Sequence, residues 1–268
     1  MKYTAIANTG VEVSPIGFGT VKIGRDLGVK YPDTFTIPDD QQVLKLLDIC
    51  RELGINTLDP PPAYGNSEQR LGQLLKSAQR QQWIISSKAG EEFDPLSGAS
   101  NYDFSERAIT ASVERSLRRL DTDYLDIVMI HSNGDDLQII EQHLALQTLA
   151  KLKQQGKIRA IGMSTKTIDG GIAALQQADC AMVTYNLMHR QELAVIEYAQ
   201  RHNKGIFIKK AFASGHLQQQ QYDDPILSSL KLIFAQPGVS SAVIGTINQR
   251  NLRENVQKYQ RAISEISL

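Results

Sequence analysis

Cysteine is almost absent. Cys50 and Cys180 are the only two in 268 residues, and they form neither a disulfide framework nor a CxxC motif. They read as buried free thiols of a cytoplasmic protein. No charge sign dominates either: Lys+Arg and Asp+Glu both number 29, so the formal net charge is zero. Nothing in that balance neutralises a phosphate backbone, and nucleic acid is not expected as a partner. Long apolar runs are missing. A stretch such as 127–130 falls far short of the roughly 20 residues that cross a bilayer, so no membrane partner is expected. Residues 1–10 lack a basic stretch leading into an apolar one, so no secretory leader is read. Histidines at 131, 143, 189, 202 and 216 show no paired ligand spacing, and neither HExxH nor GxSxG occurs, which argues against a metal centre and a serine hydrolase.

Hydrophobic residues make up 41% of the chain, which excludes a disordered polymer. The length suits one α/β barrel, and a chain this long buries about 70–75% of its unfolded surface. Apolar runs lie at 16–20, 56–59, 83–87, 125–131, 158–164, 181–186, 205–210 and 242–245, eight candidate strands. Between them run amphipathic segments. Ile109, Val113, Leu117 and Leu120 share one helical face, with Ser105 placed to cap its start; Leu252, Val256, Tyr259 and Ile263 repeat the pattern. Gly156 suits a helix C-terminus. The run Ile127-Val128-Met129-Ile130 does not alternate, as expected of a parallel strand covered on both faces.

These features predict an α/β fold, a (β/α)8 TIM barrel forming one domain over 1–268. An N-terminal β-hairpin, 4–7 with 11–13, should close its bottom. The competing doubly wound sheet is disfavoured, because Gly17-Phe18-Gly19 is followed by Thr20-Val21-Lys22 and the third glycine of a dinucleotide fingerprint is missing. Two aperiodic segments, 22–38 and 89–104, should be long loops at the C-terminal face, with Phe93, Tyr102 and Phe104 as wall or anchor residues. The glutamine run at 218–221 reads as a solvated spacer.

Four polar residues fall at or just beyond consecutive strand ends: Asp59, Tyr64, Lys88 and His131. Pro60-Pro61-Pro62 stiffens the approach to Tyr64. A phenol near pKa 10 needs about 4 kcal/mol to become an acid at neutral pH. An ammonium about 4 Å away supplies that order of energy at an effective dielectric near 20. Asp59 would keep Lys88 charged, His131 would orient a substrate oxygen, and the site would protonate an oxygen as in carbonyl reduction.

The chain resembles the aldo-keto reductases. The resemblance rests on Gly54-Ile55-Asn56-Thr57-Leu58-Asp59, Ala63-Tyr64-Gly65-Asn66-Ser67-Glu68, Leu71-Gly72, Ile85-Ser86-Ser87-Lys88, Asp123-Tyr124-Leu125-Asp126 leading to His131, and the 156–164 segment. It implies a catalytic Asp59, Tyr64, Lys88 and His131, and NADP(H) bound across the barrel mouth, with NAD(H) as the other option. The implied reaction is hydride exchange with a small aldehyde, ketone or alcohol. Cofactor contacts implied near the first strands are Gly19, Thr20, Val21 and Asp59. At the nicotinamide they are Ser164, Thr165, Met182 and Lys209, where the family usually has a Ser-Asn pair, a Gln and a stacking Tyr. Ala211, Phe212, Ala213, Ser214, Gly215 and Leu217 correspond to the pyrophosphate loop, with Lys210 just before it as a further implied contact. Gly245, Thr246, Arg250, Asn251, Glu254 and Asn255 correspond to the adenosine end, with Arg253 nearby. The loop at 131–136 is short, and the family's C-terminal loop is missing or nearly so. A Schiff-base lyase and a non-catalytic redox-sensing module are the alternative readings. Monomer and homo-oligomer stay equally open.

Overall fold

The computed structural model describes residues 1–75, 77–219 and 222–266. The expectation for the glutamine run lies outside them at 220 and 221. Eight parallel strands close into a barrel: β1 (Ile16–Gly19), β2 (Thr57–Asp59), β3 (Ile84–Ala89), β4 (Leu125–His131), β5 (Ile158–Ser164), β6 (Cys180–Thr184), β7 (Gly205–Lys209) and β8 (Ser241–Ile244). Chain order is barrel order, and β8 returns to β1 with Ala242 opposite Ile16 and Ile244 opposite Phe18. The sixth strand stops at Thr184, not 186, because its ladder with β7 ends at the Thr184–Lys209 pair.

The unbroken apolar stretch of β4 follows from burial on both sides. Ile127 and Met129 point inward to Met182 and Phe207, whereas Val128 and Ile130 join the layer packed against the helices. The predicted amphipathic helices form that layer. Glu106–Arg119 starts at Ser105, whose side chain accepts the Ala108 amide, and buries Ile109 and Val113. Gln249–Ile266 buries Leu252, Val256 and Tyr259.

At the N-terminal end, Thr4–Ala5 pairs antiparallel with Glu12–Val13. This hairpin buries Ile6, Val11 and Val13 against the inward-facing Ile127, Met129, Ala160, Cys180 and Phe207, and so plugs the bottom as expected. Asp126 works at the same end. Its carboxylate accepts from Arg80 Nη2 at 2.9 Å, Arg159 Nη1 at 2.7 Å and the Ile85 amide at 3.0 Å. The Asp123-to-Asp126 segment is therefore a clamp across β3, β4 and β5, remote from any chemistry. Among the described residues no helix is long and apolar enough to cross a membrane.

Candidate active site

Side chains alternate in and out along a strand. Inward residues of the lower barrel are mostly apolar or small hydroxyls, but the last inward rung of several strands carries larger or charged polar groups or a serine at the mouth: Asp59 on β2, Lys88 on β3, His131 on β4, Ser164 on β5 and Lys209 on β7. All five line one cavity of about 1210 Å³ at the C-terminal mouth, and Tyr64 lines it too.

Lys88 Nζ lies 2.5 Å from Asp59 Oδ1, and both side chains are 2% exposed. Thr20 supports this aspartate from behind, its backbone N–H and its hydroxyl both donating to the Asp59 carbonyl. One residue before Lys88, the Ser87 hydroxyl donates to the buried Glu68 carboxylate at 2.8 Å, with Arg119 at 3.3 Å from the other oxygen. Glu68 thus ties the helix after Tyr64 to the strand that carries Lys88.

Tyr64 ends a short turn, Pro62–Tyr64, and the chain leaves through Gly65 at φ +64°, ψ −122°. That region is open essentially to glycine alone. A Cβ on Gly65 would also run into the Gly24 carbonyl, and one on Gly24 into Tyr64 and Ser67. Two bare glycines therefore let the Tyr64 turn rest on the Val21–Gly24 helix, where Arg25 Nη1 donates to Ala63 O at 2.8 Å. Gly65→Ala is expected to cost at least about 1–3 kcal/mol from the backbone alone. Turnover should fall with it, because Tyr64 must shift; a denaturation midpoint together with kcat checks both.

The ammonium of Lys88 sits 5.5 Å from the centre of the Tyr64 ring. The expectation that it makes the phenol acidic does not hold. Burial pushes Tyr64 well above its ordinary value, the negative charges of Asp59 and Glu91 add to that, and Arg25 only partly offsets them. Burial is the larger cause, and the Asp59 carboxylate beside Lys88 adds to it. Tyr64 is a phenol held firmly in its protonated form.

His131 meets a residue that periodicity did not single out. Glu91 Oε2 lies 2.7 Å from His131 Nδ1. The segment 89–104 is no irregular loop but carries a hairpin, Glu91–Phe93 against Ser100–Tyr102. Gly90, at φ +100°, leads into it with the Phe104 ring where a Cβ would stand. Phe93, Tyr102 and Phe104 do not line the cavity: Phe104 is buried and Arg25 stacks on Phe93 at 3.8 Å, so at least these two anchor loops. The wall comes from the other segment, through Lys22, Arg25, Lys30 and Tyr31. The available signal for Glu91 was a carboxylate three residues past Lys88, just beyond a glycine.

Opposite Tyr64, Lys209 Nζ donates to Ser164 Oγ at 3.0 Å and to the Thr165 carbonyl at 2.6 Å. Burial brings it down to about 8 against the pull of Glu192. Beyond it Lys210 is lowered by burial and by two like charges, Lys30 and Lys166, all lining the cavity. Three crowded ammonium groups make a lobe suited to an anion. The adjoining loop carries Ala213, Ser214 and Gly215 at positive φ.

Of the cofactor residues expected from the sequence, Gly19, Val21, Asp59, Ser164, Met182, Lys209, Lys210, Ala211, Phe212, Ser214, Gly215, Leu217, Gly245, Thr246, Asn251, Glu254 and Asn255 line the cavity. Thr20, Thr165, Ala213 and Arg250 do not. Thr20 and Thr165 are fully buried behind the wall. The Arg250 side chain is 85% exposed and engages Glu254 at 2.7 Å, while Arg253 turns to Glu52 at 2.8 Å. Lys258, on the same helix, does line the cavity and pairs with Asp224 at 2.8 Å. Among the described residues no cluster of His, Cys, Asp and Glu could hold a metal.

A buried Asp–Lys pair beside a protonated tyrosine at the mouth of a closed barrel defines a class of site, one built to pass a proton to or from an oxygen. The chain belongs to the aldo/keto reductase family, whose model matches residues 15–232. It is similar to the solved structure of an aldo-keto reductase from Pseudomonas aeruginosa, with 51% identity and a TM-score of 0.87 over 97% of this chain and 95% of that one. Among curated proteins it is 35% identical over 209 residues to aldo-keto reductase YhdN of Bacillus subtilis, covering 75% of this chain. It is 31% identical over 229 residues to L-galactose dehydrogenase of Arabidopsis thaliana, covering 81% of this chain and 67% of that protein. The chain spans 59% of the length of the Bacillus relative.

Proposed function

We propose that this protein is a nicotinamide-dependent oxidoreductase that interconverts a small aldehyde or ketone and its alcohol, with Tyr64 as the proton donor and acceptor. The observation that carries the reading is the convergence of Asp59, Tyr64, Lys88 and His131 on one cavity that also reaches the cationic lobe at Lys210. The cavity exceeds the roughly 300–1,000 Å³ of an ordinary single-ligand pocket, which suits a dinucleotide together with a small substrate. Lys30, Lys166 and Lys210 would hold its phosphates, and Asn251 and Asn255 its adenosine end. When bound, the reduced nicotinamide supplies the hydride.

The chain's own residues do the rest. Tyr64 gives its hydroxyl proton to the carbonyl oxygen as that oxygen becomes an alkoxide. Lys88, kept charged by Asp59, stabilises the tyrosinate left behind. The same pairing opposes a Schiff-base role for Lys88, since an ammonium has no lone pair to attack a carbonyl. A cytoplasmic setting completes the reading, matching two buried and unpaired cysteines.

NADP(H) is the preferred cofactor in this proposal, through Lys258 at the adenosine end. That cation already faces a carboxylate, Asp224. A 2′-phosphate must compete for a charge whose exposed pairs are worth about 0–1 kcal/mol, so NADPH is expected to bind more tightly than NADH by less than about tenfold. Titration of each cofactor, followed by its own fluorescence, measures that ratio, and a panel of aldehydes and ketones then tests turnover. Binding without turnover of any carbonyl or alcohol would instead favour the redox-sensing module.

A further inference from the structure

We propose that Glu91 is a positioning residue that keeps a proton on His131 Nδ1 and thereby makes Nε2, the nitrogen left for a ligand, a hydrogen-bond acceptor. The neutral imidazole then accepts from the hydroxyl form of the substrate pair, and the imidazole itself donates to a carbonyl only when it is cationic. The assignment of tautomer stands on the geometry alone; its consequence for the substrate rests on the oxidoreductase reading above.

Nδ1 is shut away from solvent, while the rest of the His131 ring lines the cavity. Among the described residues the acid paired with it is Glu91, 2.7 Å away. That oxygen stands off the N–H axis, so the contact is first of all a charge beside a ring nitrogen. In a neutral imidazole one nitrogen is a donor and the other an acceptor, so a proton held at Nδ1 leaves a lone pair at Nε2. Glu91 is available for this. Burial pushes its carboxyl up, but contacts with His131, Ser100 and Tyr102 outweigh burial and bring it down to about 2. It is a carboxylate at any working pH.

The other charges facing His131 come from two strands. Burial lowers the imidazole's proton affinity, Glu91 raises it, and Lys88 on β3 and Lys209 on β7 lower it again. The Lys88 charge is balanced by Asp59. Without Glu91, burial and the two ammonium groups would all oppose a proton on the ring.

The test is long-range proton–nitrogen NMR of histidine-labelled protein, titrated from about pH 5 to about pH 9, around the ordinary histidine range. The His131 signals are assigned by their loss in His131→Gln. In the wild type the neutral form is expected as the Nδ1–H tautomer. Glu91→Met should move the population to Nε2–H and lower the midpoint by about 1–3 pH units, the effect of an opposite charge at close range. Glu91→Gln, which removes the charge at nearly constant shape, should share the lowered midpoint. A wild-type Nε2–H tautomer overturns the proposal, as does a midpoint indifferent to Glu91→Gln. Because the wild-type spectrum alone decides the tautomer, a variant that fails to fold does not protect the idea. Nδ1–H without turnover of any carbonyl or alcohol would overturn the oxidoreductase reading and leave the role of Glu91 intact. Turnover with Nε2–H would do the reverse.

Discussion

Replacing Tyr64 by phenylalanine is expected to lower carbonyl turnover by about 10²–10⁴-fold, the usual range for a positioned acid or base, while cofactor affinity stays nearly unchanged. The ring remains to pack on its turn, and only the hydroxyl is lost. Burial and the carboxylates of Asp59 and Glu91 hold that hydroxyl protonated well above the ordinary tyrosine range. The sign follows directly. An acid whose pKa is raised stays fully protonated through neutral pH, so reduction should not decline at mildly alkaline pH through loss of the phenol proton. Steady-state rates against pH, with cofactor binding measured separately, check both halves. Equal loss of binding and turnover would show that Tyr64 shapes the cavity and is no acid.

The second large effect concerns stability. Asp59→Asn removes the partner of an ammonium that is almost wholly shut off from water. Breaking one half of a buried pair costs about 3–5 kcal/mol, because the remaining charge is uncompensated. Adding Lys88→Met should restore most of that loss, since a buried pair is about as stable as apolar residues of similar volume. The double variant should fold and remain inactive. Urea midpoints for the single and double variants measure the pattern. A loss below about 1 kcal/mol in Asp59→Asn would mean that water reaches Lys88 and that the pair resembles an exposed one.

Parity along the strands explains why so much of the site could be read in advance. His131 stands out because the run Ile127–Ile130 before it is apolar, and Lys88 because it is a charge near the end of a buried strand; such a residue has few places to go but the mouth. Glu91 was hidden by the opposite circumstance. Its hairpin has neither a helical nor an alternating period, and its partner His131 lies forty residues away in the chain. The anchoring roles of Phe93 and Phe104 were equally silent, since an aromatic side chain packs on a loop or lines a cavity with the same composition.

Arg250 shows the limit of transferring a role by position. Its place on the last helix matched an adenosine-site contact, but its side chain turns outward to Glu254, and Lys258, two turns on, faces the cavity instead. Helical spacing fixes which residues share a face; it does not say which long, flexible side chain an exposed carboxylate will capture.

The order of the eight barrel strands, the closed barrel, its plugging hairpin and the four residues at its rim were all determined by the chain's own pattern, because burial on two faces and strand periodicity are local properties. The proton affinity of Tyr64, the tie between Glu91 and His131 and the outward turn of Arg250 were decided only in three dimensions. Each depends on how far charges from distant segments lie from one another and how much water separates them, and spacing along a chain contains neither quantity.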